Sequence, residues 1–293
     1  MKKIKIKNKN KEFVFGINNV KYLLGDNYSL KHMIFQGLKF TFSKLENSDF
    51  AQNSNSEINM YLNDFPIDIR KSTFHIINHF FNIEDELKLK SNSLIKKFFE
   101  ASIYKIELDE NFKTISLLLD DFSDVLNEYV KIDLNFDFQM DLANFDSFQI
   151  IKLLEPKLKL EELYCNGYDL TFEQIILLQL NLLIAVAKNV IQKNHYCYLE
   201  LPYITKSIKS ALNKINLTNL FIIVSLYKGE VDSLSDVYWV GKQTIDFSSE
   251  NDIYNCITLN IANLHNIEDT KFILKKLIHN EEQSETALLK KIL

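Results

Sequence analysis

The sequence predicts an α/β protein, a parallel-sheet head interrupted by an inserted α-helical arm. Continuous apolar runs such as Tyr196–Leu199 and Leu220–Val224 alternate with helical stretches, as in a sheet covered on both faces. The stretch before them has helical spacing instead. There Leu87, Leu94, Ile95, Phe98 and Ala101 form one stripe, and Ile115, Leu118, Leu119, Phe122, Leu126 and Tyr129 another. The almost wholly polar tract 46–57 marks the boundary between the two regimes.

At the two-residue period of a strand, Lys3, Lys5, Lys7, Lys9 and Lys11 face one way and Ile4 and Ile6 the other. Phe13–Phe15 and Val20–Leu24, joined through Gly16, Asn18 and Asn19, read as a hairpin-like entry. Leu30, Met33, Ile34, Gly37, Leu38 and Leu45 are then spaced as one helix face. Helices alone are expected from the polar tract to about residue 131. Residues 131–141 alternate polar with apolar as a half-buried strand does, and a helix follows around Phe148–Leu154. A short strand at Leu160–Tyr164 precedes a long helix from about Thr171 to Ile191, apolar nearly all round and expected mid-fold. A helix near Thr205–Ile215 separates the two apolar strands, and the C-terminal stretch is helical. The resulting boundaries are 1–52 and 132–267 for the head, 53–131 for the arm, and 268–293 for C-terminal helices.

Composition removes several classes. Over 293 residues, 46% hydrophobic and 25% charged describes a chain able to bury a core, and six glycines with three prolines exclude collagenous and linker-dominated architectures. A net charge of −5, with Arg70 the only arginine, excludes a globally basic nucleic-acid binder but permits a local basic patch. Cys165, Cys197 and Cys256 are odd in number and never in a CxxC pair, which predicts unpaired thiols in a reducing compartment. The lysine-rich N-terminus lacks a following apolar core, and Ile175–Ala187 is shorter than the roughly 20 residues of a bilayer span. A cytoplasmic protein without membrane contact is expected.

Gly25 after an apolar strand, Lys31 six residues on and a helix behind it reproduce the layout of a phosphate-binding P-loop, GxxxxGK[ST]. Leu30 stands where the second glycine belongs, and His32 stands where a Mg²⁺-ligating hydroxyl belongs. The Leu30 Cβ restricts the positive φ that a phosphate nest uses, and imidazole suits a hard cation poorly. Gly25 and Lys31 therefore mark either a degenerate P-loop or an ordinary strand-to-helix turn with a surface lysine. The partner acid of a nucleotide hydrolase would be Glu200, which ends the run Tyr196–Leu199.

The order of elements resembles the type II-A CRISPR adaptation protein of the Csn family, in its larger subfamily. The stretches that carry the resemblance are Phe13–Asn27, Ile132–Leu154, Leu170–Ile175 with Tyr196–Glu200, and Asn216–Ser225. The resemblance implies a P-loop-like head without ATPase activity, a helical arm, and a homotetramer around a positive channel. It implies sequence-independent binding of double-stranded DNA ends during spacer acquisition in antiviral defence. The implied partners are the integrase proteins and the effector nuclease of the same system. It also implies calcium held by acidic side chains near the joint of head and arm, where the matching stretch holds Asp133, Asp137, Asp141 and Asp146. No nucleotide cofactor is expected.

By resemblance, Lys152, Lys157 and Lys159 line the channel; by periodicity alone, Lys3, Lys5, Lys7 and Lys9 are the choice. Lysines supply point charges to phosphates without the base-reading fork of arginine. Residues 107–146 hold 11 acids against Lys113 and Lys131, so the signs are segregated along the chain. His75 and His79 at i, i+4 lack the glutamate of a zinc protease, His195 and Cys197 on one strand lack an orienting third group, and Trp239 reads as core. Three readings stay open: a non-catalytic DNA-end ring, an ABC or recombination-type ATPase using Lys31 and Glu200, and a helical protein-binding scaffold.

Overall fold

The structure is a computed structural model of the 293-residue chain. It describes residues 1–43, 58–106, 110–129, 152–153, 155–227, 229–258 and 266–279, with 286, 289 and 293. Among them are twelve strands: β1 Lys2–Asn8, β2 Lys11–Ile17, β3 Val20–Leu24, β4 Ile58–Leu62, β5 Phe65–Pro66, β6 Ser72–Ile77, β7 Lys159–Leu160, β8 Leu163–Tyr164, β9 Asn194–Leu201, β10 Leu220–Leu226, β11 Val237–Val240 and β12 Thr244–Asp246. The helices are α1 Tyr28–Phe42, α2 Ile83–Leu87, α3 Leu94–Ile106, α4 Glu110–Tyr129, α5 Phe172–Asn189, α6 Lys206–Asn213, α7 Glu250–Cys256 and α8 Ile267–Ile278. They divide into two compact units: Met1–Phe81, Phe172–Leu180 and Ile191–Leu293 in the first, Asn82–Thr171 and Asn181–Val190 in the second.

The first unit is a mixed α/β body built on a mostly parallel sheet in the order β12-β11-β3-β10-β9-β6. β11, β3, β10, β9 and β6 run parallel, and β12 returns antiparallel at one edge. A second, antiparallel sheet, β2-β1-β4-β5, lies in the same unit. One core joins both sheets with α1: Ile4, Ile6, Phe13 and Phe15 meet Ile34 and Leu38, and Tyr196, Phe221 and Tyr238 close it from the parallel sheet. Gly37 lets α1 lie against β1, since a Cβ there would stand 2.4 Å from the Ile6 methyl.

Two sequence expectations are corrected here. The entry hairpin is β1–β2, turning at Lys9 (φ 56°), while β3 leaves to become a central strand of the parallel sheet. Residues 58–77 are strands, not arm helices, and they belong to the first unit. The reason is local: Met60 is buried on the inner face of β4, Asn63 and Asp64 adopt positive φ in a two-residue hairpin turn, and Ser72–Ile77 is rich in β-branched and aromatic residues. The C-terminal helix α8 is part of the first unit too, with Thr270 and Leu274 fully buried.

In the second unit, Glu86 Oε2 accepts from the Leu94 amide at 2.6 Å and so caps α3, whose Leu94, Ile95, Ala101 and Ile103 are buried. The stripe expected inside on α4 is turned out: Ile115 is 43% exposed, Leu118 62% and Phe122 57%. α5, with residues 172–180 in the first unit and 181–189 in the second, spans 18 residues and is long and apolar enough to cross a membrane by length and composition. Its burial is one-sided, through Ile176, Gln179, Leu180, Leu183, Val186 and Ala187.

A buried ion pair fastens the first unit. The Lys21 ammonium on β3 donates to Asp246 Oδ1 on β12 at 2.5 Å and to the Ser235 carbonyl at 2.8 Å. Asp246 Oδ2 accepts from the Gly16 amide on β2 at 2.6 Å, and Oδ1 accepts from the Ser248 amide at 3.0 Å. Burial pulls the Lys21 ammonium below its ordinary value, with Asp246 opposing. Asp246→Asn leaves that cation without its counter-charge and is expected to cost about 3–5 kcal/mol. Chemical denaturation measures it, and Lys21→Met added to Asp246→Asn should recover part of the loss.

Candidate functional site

All five parallel strands end on one edge of the sheet, and the loop carrying the sequence motif lies there. Gly25 follows β3 with φ +100°, and a Cβ on it would stand 2.4 Å from the Val240 carbonyl oxygen at the end of β11. Only glycine satisfies both demands. Three residues, Gly25–Asn27, then suffice to reach α1. Asn27 closes the turn: its amide donates to the Val240 carbonyl at 3.1 Å, its side-chain Nδ2 donates to the Gly241 carbonyl at 3.1 Å, and its Oδ1 accepts from the Leu30 amide at 3.0 Å. The Asn27 and Leu30 amides, two that could face a phosphate, are thereby already engaged.

Lys31 is 2% exposed. Its ammonium donates to the Leu226 carbonyl at the end of β10, at 2.8 Å, and lies 5.4 Å from the Tyr28 ring centroid. Burial pushes its pKa down to about 8, with the nearby Asp26 charge opposing. His32 is exposed on the same helix. Gly25 and Lys31 therefore share one turn, but the lysine points into the protein and is anchored on a strand end.

Around that turn the strand ends form two cavities. Tyr28 and Tyr227 stack with centroids 5.3 Å apart and line both. One cavity, of about 320 Å³, continues along Gly25, Asp26, Trp239 and Leu277. The other, of about 350 Å³, continues along His79, Glu200, Pro202 and Ser225. Burial, and then its hydrogen bond with Tyr227, push the Tyr28 phenol up to about 12. Trp239, expected in the core, is half-buried on a cavity wall.

The lysines of β1 keep their alternation only over the strand itself. Lys3 pairs with Asp64 at 3.3 Å and Lys5 with Glu12 at 2.9 Å, while Lys5 and Lys7 each lie 5.9 Å from the Tyr61 ring centroid. Lys9 sits in the turn, off that face. In the second unit, Lys157 and Lys159 lie 5.6 and 5.1 Å from the ring of Tyr164 on the β7–β8 hairpin, and Lys152 is exposed beside a cavity shared with Lys88 and Lys96. The acids Asp133, Asp137, Asp141 and Asp146 lie outside the described residues.

One constellation had no sequence signal. Thr73 Oγ1 on β6 bridges His75 Nε2 at 3.0 Å and His195 Nδ1 on β9 at 2.9 Å, and the two imidazoles stack at 5.7 Å. Parallel pairing of Thr73 with His195 creates it, across 122 residues of sequence. His75 is on a strand and His79 in the loop after it, so they share no helix face. Cys165, Cys197 and Cys256 form no disulfide.

With this geometry in hand, the chain can be set beside known proteins. No family model matches it, and no curated protein does. A solved structure does: the crystal structure of Stu0660 of Streptococcus thermophilus. That likeness has a TM-score of 0.69 at 12% identity, covering 94% of this chain and 85% of that one. It shows a shared fold.

The state of Lys31 is open to measurement. An unfolded lysine binds its proton up to about pH 10.4. The buried one releases it near 8, so stability should rise with pH between those values. Lys31→Met should flatten that rise. The check is the wild-type minus variant difference in denaturation free energy, which should grow by on the order of 3 kcal/mol from pH 7.5 to 10.

Proposed function

We propose that this chain is a non-catalytic, ring-forming subunit that closes around double-stranded DNA ends without reading sequence. On this reading it belongs with the type II-A CRISPR adaptation proteins of the Csn family and acts in spacer acquisition beside the integrase and effector nuclease. The observation that carries the reading is the fate of Lys31, held inside by the Leu226 carbonyl at 2.8 Å while the Asn27 side chain takes the Leu30 amide. A lysine so placed cannot neutralise a phosphate unless α1 and the end of β10 come apart.

The frame around it supports descent from a nucleotide-binding head. Numbered in chain order, the parallel strands lie 5-1-4-3-2, with the Gly25 loop after the first and Glu200 ending the third. An acid-ended strand one place removed from the loop strand is where a hydrolase would keep its partner carboxylate. The ATPase reading needs Lys31 to face that space, and here it does not. The fold likeness to Stu0660, running over 94% of this chain, supports one architecture throughout.

Phosphate contact falls to the exposed lysines. Residues 2–12 carry six lysines against Glu12, whereas 152–164 carry three (Lys152, Lys157, Lys159) against Glu155, Glu161 and Glu162. Net charge favours the first set, and the family resemblance favours the second. A tetramer repeating either patch four times, with calcium at Asp133, Asp137, Asp141 and Asp146, completes the proposal.

The expected result is salt-sensitive binding to linear duplex, little retention on closed circles, and no ATP turnover above buffer. Each phosphate contact contributes about 0.9 to the slope of log K against log salt. Replacing Lys3, Lys5 and Lys7 with alanine should therefore lower that slope by about 2–3. The triple Lys152, Lys157 and Lys159 variant tests the hairpin in the same way. Equal retention of circles and linear duplex, or unchanged slopes in both variants, would remove the reading.

A further inference from the structure

We propose that the paired cavities at the carboxyl edge of the parallel sheet bind an organic cation, a guanidinium or alkylammonium group, against the stacked Tyr28 and Tyr227 rings. A phosphate frame normally presents positive charge at this edge. Here its one lysine is withdrawn, 2% exposed and hydrogen-bonded to the Leu226 carbonyl, and lines neither cavity. What remains on the walls is negative and aromatic. Asp26 lines the first cavity and Glu200 the second, both exposed; neither side-chain carboxylate has a hydrogen bond or salt bridge among the described residues, and Asp26 acts on the buried Lys31 ammonium only at longer range.

Ring faces complete the site. Tyr28 is 47% exposed and Tyr227 60%, and they stand between the two carboxylates. Trp239 adds a third ring in the first cavity, and His79 an imidazole in the second. A cation over an aromatic face is attracted by the ring quadrupole, and a carboxylate beside it supplies charge and hydrogen-bond acceptors. The volumes, about 320 and 350 Å³, suit a side-chain-sized group and not a large planar cofactor. An anion would meet two carboxylates without salt-bridge partners here. The same cation could arrive as a free amine or on an arginine-bearing peptide, and the test separates these sources.

Trp239 is the chain's only tryptophan, so its emission reports on the first cavity directly. Arginine amide is expected to change that emission saturably and to give matching heats by titration calorimetry. Nα-acetyl-citrulline amide, close in shape and carrying no charge, should do neither. Asp26→Asn and Glu200→Gln should each weaken arginine amide about fivefold, the size of one modest charge or cation–π contact. Both side chains are exposed, so neither variant threatens folding. An acetylated, amidated Gly-Arg-Gly peptide binding more tightly than arginine amide identifies a protein-borne arginine; weaker binding identifies a free amine. Equal responses to the two amides, or full affinity in the Asp26→Asn, Glu200→Gln double variant, would overturn the site. No lysine assigned to DNA takes part, so failure here leaves the ring reading untouched, and loss of DNA binding leaves this site untouched.

Discussion

Lys21 and Asp246 sit where the parallel sheet, its antiparallel edge and the second sheet must agree. Lys21 belongs to β3, the strand that delivers the Gly25 loop. Asp246 ends β12, and its second oxygen reaches across to the Gly16 amide of β2. A single carboxylate thus holds a buried cation and two backbone amides, and the cation in turn holds the Ser235 carbonyl. Moving two charges out of water costs several kcal/mol for each ion, so such a pair adds little net stability. Its effect is on register. Any slip of β3 against β12 would strand a charge in a low-dielectric interior, and that penalty exceeds the cost of most packing errors. The position of the loop at the sheet edge follows from this constraint.

The Gly25 loop is held by packing and by hydrogen bonds within the protein. Gly25 retains its positive φ because the end of β11 leaves no room for a Cβ, a requirement of packing and not of phosphate. Asn27 caps α1 and ties the turn to β11, so the helix dipole is answered by the protein itself. Lys31, one turn further on, gains an acceptor at the price of desolvation, and its depressed pKa measures that cost. The three residues act together. Releasing the lysine would also expose the end of β10, and opening the turn would uncap the helix. Asp26 and Glu200 then face space in which no positive group remains among the lining residues.

Sequence periodicity was a good guide where burial was continuous. The runs at β9 and β10 are buried on both faces and read as parallel strands, and Gly25 to Lys31 could be picked out as one turn. It failed where burial was one-sided and brief. β4 exposes Asn59 between inward residues, and β6 follows a three-residue helical turn, so a short strand there has no pattern long enough to exclude a helix. The hairpin was misplaced because Gly16 and the asparagines resemble a turn, whereas the true turn at Lys9 uses a residue without an intrinsic preference for positive φ. On α4 the apolar stripe was visible, but periodicity alone cannot say whether a stripe faces a core or solvent. The His75–Thr73–His195 bridge and the Tyr28–Tyr227 stack depend on strand pairing over long separations, which no local window contains.

The charge distribution bears on which lysines can matter. Exposed ion pairs are weak, so Lys3 with Asp64 and Lys5 with Glu12 stay available to a stronger anion, at the cost of leaving two carboxylates nearby. Lys7 forms no salt bridge among the described residues, although Glu12 is its cross-strand neighbour, and it lies by the Tyr61 ring with Lys5. The hairpin lysines Lys157 and Lys159 both lie near the Tyr164 ring, yet Glu161 and Glu162 form the tip beyond, both at positive φ, where long side chains are uncommon. A duplex approaching the hairpin end-on would meet those acids first, and one lying along its flank would meet Lys157 and Lys159. The β1 face has no such directionality, because its lysines repeat along one strand at a spacing of two residues, about 6.8 Å. On the proposed ring reading, such a surface would meet phosphates without selecting any base, and a single arginine offers little base-reading capacity.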